Sequence, residues 1–514
     1  MAMAEEGTPV GQAALISMLG LHLPTPTVAS RVAPGARKTV VKDGRTVERY
    51  PQGYMPEDNL IGHLRFALRY EPVDLGVFAA AFRTPGAADN IEAWIRAEPT
   101  GAYARRAWFL YEWLTGERLG IPDAGTVGYV DVLDPGLHAT ARGIPSRRHK
   151  VTDNILGRPG FAPLVRRTQR LVDFQAENLA AEARVVVAGC DPAVLARAVS
   201  YLYTKETKSS FAIEGETATG NRAERFVAAL RAARTFEPTD PRSLVALQNA
   251  IVDPRYAASG FRDFQIFVGE TVGGYREIVH FICPRPKDVS PLMSDWAQMT
   301  ERIKGATDPV VAAALSAFGF VFIHPFEDGN GRIHRFLIHQ VLTAEGFTPP
   351  DVLFPVSAAI VRDRQAYDAT LESFSKTIAP FIEWHWAEGP DGPEIAVDND
   401  TAHLYRYFDA TPLVEFLYAK VTETIRKDFR EELDFVTVYD AALSAVKYIV
   451  DMPDRRASLF VRLCLQNGGR LAKARRDTFK EITDGELTAL QDAIQGVLAE
   501  RGDTPTSGTQ AETP

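Results

Sequence analysis

The chain has little cysteine. Its three cysteines, Cys190, Cys283 and Cys464, lie far apart, are odd in number and show no CxxC spacing. This usage argues against a disulfide framework and against a cysteine-based zinc site. It is typical of proteins in a reducing cytosol, so we expect a cytoplasmic protein.

The chain also has no excess of basic residues. With 57 Lys and Arg against 66 Asp and Glu, the formal net charge is −9. General nucleic-acid binding usually needs a basic surface, so nucleic acid is not an expected partner. A basic run over 470–476 indicates a solvated helix face more than a contact with nucleic acid or an acidic partner. The balance still allows a local basic pocket for a phosphorylated ligand.

Long hydrophobic segments are missing too. The most apolar run, 310–323, is too short to cross a bilayer and indicates a buried helix. The first residues are acidic and lack a basic stretch followed by an apolar core, so we expect neither a secretory signal nor a membrane partner. No repeat of about 20 to 50 residues is present.

At 514 residues the chain exceeds one ordinary domain. Composition and hydrophobic periodicity predict a mainly α fold in five parts. These are an irregular Pro-, Gly- and Thr-rich segment over 1–55, a helical domain over 56–182, a central domain over 183–390, a helical domain over 391–500 and a disordered polar tail over 501–514. The Gly- and Pro-rich stretch 389–393 is the predicted linker between the last two domains.

The pattern predicts one β-hairpin. Residues 264–268 and 275–282 carry β-branched and aromatic residues, and the stretch between them contains three glycines. Apolar runs separated by a glycine-containing turn are typical of paired strands. Prolines at 284 and 286 end the second strand.

The most informative segment is 324–335, HPFEDGNGRIHR, at the junction of two predicted helices. The backbone N–H groups at a helix N-terminus favour an anion. Gly329 and Gly331, on either side of Asn330, let the backbone approach phosphate oxygens without a Cβ clash. Arg332 and Arg335 are three apart, so they lie on one helical face, and guanidinium groups suit phosphate contacts.

Two further side chains of this segment supply chemistry. Asp328 alone cannot hold a metal, but Mg²⁺ usually takes one or two protein carboxylates together with substrate phosphates and water. His324 follows an apolar helix and suits a general base near neutral pH. The alternatives are a buried core histidine and a carboxylate that only caps a helix.

Segment 324–335 resembles the signature of the Fic family, HPFx(D/E)GNGRxxR, at every fixed position. Members usually transfer AMP from ATP to a Ser, Thr or Tyr hydroxyl of a protein and release pyrophosphate. The resemblance implies ATP as substrate and Mg²⁺ as cofactor. It assigns deprotonation of the hydroxyl to His324, the metal to Asp328, the phosphates to Gly329, Asn330 and Gly331, the β-phosphate to Arg332 and the γ-phosphate to Arg335.

A second stretch, SFAIEG over 210–215, resembles the inhibitory pattern of the family, (S/T)xxxE(G/N). Ser210 and Glu214 are four apart and can share one side of a helix around 205–216. The resemblance implies the class with an N-terminal inhibitory helix, in which Glu214 pairs with Arg335 and competes with the γ-phosphate. The alternatives are a solvated glutamate and a serine of a turn.

The predicted hairpin lies where the family has a flap that pairs with the target segment. Its candidate residues are Arg276, Ile278, Val279 and His280. The expected partner is a protein with a hydroxyl side chain, either another protein or this chain itself, and a homodimer is left open. The flanks resemble those of longer bacterial members, so a bacterial origin is expected.

Three rival functions remain from the sequence. The same pocket could remove AMP, with Glu214 positioning a water. It could transfer another phosphate-containing group, although two intact arginines favour a triphosphate donor. The chain could also be a non-catalytic nucleotide-sensing protein whose helical flanks carry the function.

Overall fold

The computed structural model describes residues 7–42, 44–273, 276–389 and 392–500. Helices dominate the described residues, and the few sheets are small, which confirms the mainly α fold. Within these ranges, every helix is too short or too polar for a bilayer crossing. The predicted tail over 501–514 lies outside the described residues.

The N-terminal region combines a small sheet with helices. Strand β2 lies between β1 and β4 and runs parallel to β4, while β3 pairs antiparallel with β4. Its elements are β1 (Thr8–Val10), α1 (Gly11–Met18), β2 (Val28–Val32), β3 (Lys38–Lys42), β4 (Arg45–Tyr50), α2 (Leu60–Tyr70), α3 (Leu75–Ala81), α4 (Ala87–Ala97), α5 (Ala102–Thr115), β5 (Val130–Asp131), β6 (Ile144–Ser146) and β7 (Val151–Asp153).

Two expectations for this region are wrong. Residues 8–50 form strands and a helix where the sequence predicts an irregular segment over 1–55. The strands are short and rich in Lys, Arg and Glu, so turn residues dominate the composition and obscure them. Residues 116–168, inside the predicted helical domain 56–182, contain only three short strands among irregular segments.

The central region carries the predicted motifs. Its elements are α6 (Gln169–Ala176), α7 (Leu179–Ala188), α8 (Pro192–Ile213), α9 (Gly220–Arg231), α10 (Pro241–Ile251), β8 (Phe267–Val272), β9 (Arg276–Ile282), α11 (Pro286–Ile303), α12 (Pro309–Ile323), α13 (Asn330–Ala344), α14 (Val356–Arg362), α15 (Arg364–Ile378), β10 (Trp384–Gly389), β11 (Gly392–Val397) and α16 (Ala402–Arg406). The predicted first strand over 264–268 begins later, at Phe267, and Tyr275 of the second lies outside the described residues.

Helix α12 is the centre of this core. The Asp308 carboxylate accepts hydrogen bonds from the N–H groups of Val310 and Val311, and Pro309 occupies the first turn, which together start the helix. Every residue from Val310 to Ile323 is buried, as expected for a helix that neighbours cover on all sides. The Trp296 indole of α11 donates to the Ser316 carbonyl of α12 at 2.8 Å.

The C-terminal region does not begin where the sequence predicts. Its elements are α17 (Thr411–Glu423), a π-helical segment (Thr424–Asp428), α18 (Phe429–Ile449), α19 (Asp454–Leu465) and α20 (Asp484–Glu500). The central core extends through α17 to Val436, and a separate small core begins at Ala442. The predicted linker around 389–393 instead joins two paired strands, β10 and β11, and its residues 390 and 391 lie outside the described ranges.

Helix α8 is joined to the C-terminal region by a buried carboxylate. Asp428 is fully buried and accepts from Lys205 of α8 at 2.6 Å and from Arg362 of α14 at 2.6 and 2.8 Å. A second ion pair, Arg197 with Asp440, is partly exposed. Burial without these cations would leave an uncompensated charge, so Asp428 and its partners hold three elements together.

We therefore expect Asp428→Ala to lower the free energy of unfolding by about 2–3 kcal/mol, because two half-exposed cations lose their buried partner. Asp440→Ala removes a more exposed partner and should cost under about 1 kcal/mol. Urea unfolding monitored by circular dichroism measures both. Equal effects of the two substitutions would contradict the structural role of Asp428.

Candidate active site at the junction of helices α12 and α13

His324 ends α12 in a left-handed backbone conformation, with φ of +53°. Few residues other than glycine adopt this conformation, and it turns the chain sharply out of the helix. The Nδ1 atom of His324 lies 3.0 Å from the Val321 carbonyl, which can only accept, so Nδ1 carries the proton. The lone pair is therefore on Nε2. Burial lowers the pKa of His324 to about 4, so the ring is neutral at pH 7.

The loop that follows is held by Asn330. Its side-chain oxygen accepts from the Phe326 N–H at 3.0 Å, and its amide donates to the Phe326 carbonyl at 2.7 Å. The Phe326 ring is buried against the rings of Phe261 and Phe320. The Asn330 side chain thus shapes the loop, and only the backbone N–H of Asn330 remains for an anion.

The start of α13 forms an anion cradle, defined here by Gly329, Asn330, Gly331 and Arg335. Gly329 has a φ of +90°, which glycine adopts without strain, and α13 begins at the next residue. The first N–H groups of a helix have no acceptor within it. A Cβ on Gly331 would lie 2.2 Å from Oε1 of Glu214, so the Glu214 carboxylate rests directly on the cradle.

Arg335 binds the end of α8. Its Nε donates to the Ser210 hydroxyl at 2.9 Å, and its Nη2 donates to the Ser210 carbonyl at 2.7 Å and to Glu214 Oε1 at 2.8 Å. The remaining nitrogen, Nη1, is buried and finds no acceptor in the described part of the chain. It lies 3.2 Å from the position that a Gly331 Cβ would take. The cradle therefore has a spare donor.

The neighbouring arginines explain why the Glu214 carboxyl is ionised. Burial would raise its pKa, but the charge and hydrogen bond of Arg335, followed by the charge of Arg332, outweigh it and lower the pKa. Glu214 is therefore an anion at neutral pH, held against the cradle by a buried cation.

The Arg332 side chain contacts residues outside the cradle. Its Nη2 donates to Asp328 Oδ1 at 2.7 Å, and Nη1 donates to the Ile251 carbonyl at 3.2 Å. Glu216 lies 3.2 Å from both Nη atoms, and the guanidinium carbon is 5.2 Å from the centre of the Phe211 ring. In this conformation Arg332 is only 1% exposed, and two carboxylates neutralise it.

Asp328 fits a magnesium ion only together with a ligand. Its side chain is 39% exposed, beside the cradle, and accepts from Arg332 and from the Gly329 N–H at 2.6 Å. The described residues contain no cluster of three or more carboxylate, His or Cys side chains placed for a metal. A single accessible carboxylate next to an anion site suits Mg²⁺ that is otherwise bound by phosphates and water.

The predicted flap, β8 and β9, is an antiparallel pair with an irregular register between Val268 and Gly269. Arg276 begins β9. Ile278 is exposed, and His280 lies 3.6 Å from Glu270 of β8. Val279 is half-buried against the central core.

Arg262 connects this flap to His324, and sequence reasoning missed it. Its guanidinium donates to the His324 carbonyl, to the Phe264 carbonyl before β8 and to the Pro284 carbonyl after β9, each at 2.8 Å. The side chain is buried, and this burial lowers the pKa of its guanidinium. Arg262 thus fixes the position of the predicted flap relative to the loop that begins at His324.

Residues 238–342, which include this junction, match the Fic/DOC family. They form a Fic domain. The match covers about a fifth of the chain and lies inside the predicted central domain 183–390.

Known proteins resemble the Fic domain region of the chain. Protein adenylyltransferase Fic of Nematostella vectensis is 32% identical over 131 residues, which are 25% of this chain and 26% of that protein. Protein adenylyltransferase fic-1 of Caenorhabditis elegans is 29% identical over 128 residues, or 25% of this chain and 22% of that protein. The chain thus spans about a quarter of the length of the curated relatives it matches.

Solved structures include a Fic family protein from Desulfovibrio desulfuricans G20, with a TM-score of 0.37 and 20% identity over 54% of this chain and 80% of that one. Fic-1 from C. elegans has a TM-score of 0.32 and 17% identity over 69% of this chain and 96% of that one. TM-scores below 0.5 do not establish a shared overall arrangement, so the assignment of the Fic domain rests on the sequence match.

Two more residues beside the Fic domain, Glu216 and Arg364, have contacts that the sequence did not predict. Glu216 contacts Arg332, and Arg364 donates to the Ile213 carbonyl at the end of α8 at 2.5 Å. Glu216 lies two residues after Glu214, and Arg364 stands at the start of a predicted downstream helix. Neither has a spacing signal of its own, because each contact joins segments more than 100 residues apart.

The contact between Glu214 and Gly331 is testable by a double-mutant cycle. Gly331→Ala should cost about 1–2 kcal/mol of stability in the wild type, because the new Cβ displaces the Glu214 carboxylate from Arg335. In the Glu214→Gly background it should be neutral or stabilising, since alanine favours helix and the clash is gone. Urea midpoints of the four proteins give the coupling, and additive effects would disprove the contact.

Proposed function

We propose that this chain is a Mg²⁺-dependent protein adenylyltransferase that Glu214 holds at low activity. It would transfer AMP from ATP to a Ser, Thr or Tyr hydroxyl of a protein and release pyrophosphate. The observation that carries this proposal is the Glu214 carboxylate on the anion cradle, bound to buried Arg335. The relatives named protein adenylyltransferase support the same chemistry for the Fic domain.

His324 serves as the base. The hydroxyl oxygen of the target attacks the α-phosphorus of ATP, and the bond between this phosphorus and the oxygen bridging to the β-phosphate breaks. The hydroxyl proton moves to Nε2, whose lone pair is available because Nδ1–H donates to Val321. The pKa of about 4 means that the ring is neutral at pH 7, so Nε2 is unprotonated when the hydroxyl binds.

The cradle binds the phosphates and stabilises the charge that develops on them. The N–H groups at the start of α13 and the spare Nη1 of Arg335 are donors for phosphate oxygens. Asp328 would hold Mg²⁺, which would neutralise negative charge on the phosphates of ATP. Arg332 would leave Asp328 and Glu216 to contact the β-phosphate.

Inhibition follows from competition between anions. Glu214 occupies Arg335 and the space above Gly331, so a γ-phosphate cannot take the same place while the carboxylate is there. ATP then binds less tightly or with its α-phosphate turned away from the hydroxyl. A cytoplasmic protein would meet ATP continually, which makes such restraint useful.

Removal of AMP is the second candidate. Glu214 is close enough to His324 for the charge of either group to shift the pKa of the other. A carboxylate beside the base and the phosphate site can orient a water for attack on an AMP-modified hydroxyl. Loss of Glu214 would then abolish removal while raising transfer.

The primary test uses α-labelled ATP with Mg²⁺ and a cell lysate. Glu214→Gly should raise AMP transfer at least about tenfold, the effect of about 1.4 kcal/mol of released competition, and His324→Ala in that background should abolish it. Glu237→Gly, which alters an exposed loop glutamate, is the control and should match the wild type. A chelator should abolish all labelling.

Other outcomes of this assay separate the rivals. Loss of label from a pre-modified lysate with wild type but not Glu214→Gly indicates AMP removal. Labelling of the lysate by another labelled nucleoside triphosphate, but not by ATP, indicates a different donor. ATP binding without label in any variant would overturn the transferase proposal and leave a nucleotide-sensing protein.

Glu216 should act as a weaker second competitor. Its side chain is 32% exposed and shared with Arg222, which donates to it at 2.9 Å, so its pairing with Arg332 is screened. Glu216→Gln should therefore tighten ATP binding by about two- to fivefold, or about 0.5–1 kcal/mol. Titration with ATP in the His324→Ala background measures this, and an unchanged Kd would exclude Glu216 from the mechanism.

A further inference from the structure

A second hairpin stands beside the flap. Strands β10 and β11 pair antiparallel, with Trp386 opposite Ile395. Trp384 and Trp386 are two residues apart and therefore share one face of β10. The Trp386 ring packs edge-on against the Phe267 ring of the flap, with 5.6 Å between the ring centres. The Trp384 ring packs edge-on against Trp386, with 5.7 Å between the ring centres. These three rings form an aromatic strip that starts on the flap.

The strip is exposed although the hairpin is anchored. Ile395, opposite Trp386, is buried in the central core, whereas Trp384 is 37% and Trp386 is 41% exposed. Trp94, Trp108 and Trp296 are by contrast buried. Large aromatic surface left in water is characteristic of binding sites, and tryptophan is prominent among residues that dominate binding energies.

One carboxylate, Glu388, shares the face of the strip, and others lie elsewhere on the two hairpins. Glu388 lies on the same face of β10 as both tryptophans, and Glu383 directly precedes Trp384. The other exposed acidic side chains of the two hairpins and their flanks are Asp263, Glu270, Glu277, Glu383, Glu394 and Asp398. Glu394 and Asp398 lie on the opposite face of the β10–β11 hairpin, and Asp398 and Glu270 are already close to His385 and His280. Arg285, which follows the flap, is already paired with Asp288 and Asp400. The face that carries the strip therefore presents aromatic rings next to the Glu388 carboxylate, on hairpins whose exposed charges are mainly acidic.

We propose that the aromatic strip and its carboxylates bind a basic, extended segment of the target protein next to the hydroxyl that receives AMP. Arginine and lysine side chains stack on tryptophan faces and pair with carboxylates, so this chemistry fits both features of the surface. A nucleic acid or an anionic membrane would be repelled by the same carboxylates. The proposal rests on the proposed function, since the strip continues the flap.

Direct binding tests the surface without any transfer chemistry. The probes are two fluorescein-labelled peptides around one tyrosine, one with alternating Arg and Ser and one with Glu in place of each Arg. All proteins carry His324→Ala. The basic peptide should bind, and Trp384→Ala with Trp386→Ala should weaken it at least about tenfold, equivalent to about 1.4 kcal/mol, in fluorescence anisotropy.

Matched variants distinguish binding at this surface from general electrostatic attraction and from the effects of misfolding. Glu388→Lys should weaken the basic peptide severalfold, whereas Glu431→Lys, an equal charge change on exposed α18, should not. Tyr448→Ala, which removes a 94% exposed ring elsewhere on α18, should leave binding unchanged. ATP binding by each variant reports an intact fold.

Equal binding of both peptides, or equal effects of Glu388→Lys and Glu431→Lys, would overturn the docking surface. Such a result would leave the transferase proposal standing if Glu214→Gly still labels the lysate. Selective binding of the basic peptide without any labelling would instead retain the surface and overturn the transferase.

Discussion

The need to neutralise two buried arginines is the constraint on which the site depends. Arg332 and Arg335 are each only 1% exposed, and a buried guanidinium without an anion would be strongly destabilising. Asp328, Glu214 and Glu216 supply that negative charge within the chain. Triphosphate is the other anion that can do so. In the function proposed above, inhibition by Glu214 and binding of ATP would thus both meet the same need to neutralise these arginines.

Helix α8 stabilises the pairing of Glu214 with Arg335 because contacts along its length hold the helix in place. Glu206 is buried and accepts from the Ser357 N–H of α14 at 2.8 Å, and it lies 2.9 Å from Nε2 of His339 on α13. Lys205 reaches Asp428, and Arg364 holds the last carbonyl of the helix. The C-terminal region therefore takes part in placing Glu214, although it lies far from the cradle in sequence.

Much of the site was predictable because its residues are close together in the chain. Segment 324–335 carries the proposed base, the proposed metal carboxylate, the cradle and both arginines, and their relative placement follows from one helix end and one helix start. The contact of Ser210 and Glu214 with Arg335 was also predictable, because SFAIEG over 210–215 resembles the inhibitory pattern of the Fic family and a four-residue spacing allows both side chains to face one side of a helix. The N-terminal strands were not, because composition favoured turns over residues 1–55.

The sequence by itself determined the chemistry of the chain: a histidine, a carboxylate, glycines at a helix N-terminus and two arginines within twelve residues. Tertiary structure alone decided what surrounds them. The side chain of Asn330 turned to the loop, Arg262 joined the flap to His324, Glu216 reached Arg332, and two tryptophans came to lie beside the flap. Such contacts join segments distant in sequence, and local spacing carries no information about packing between them.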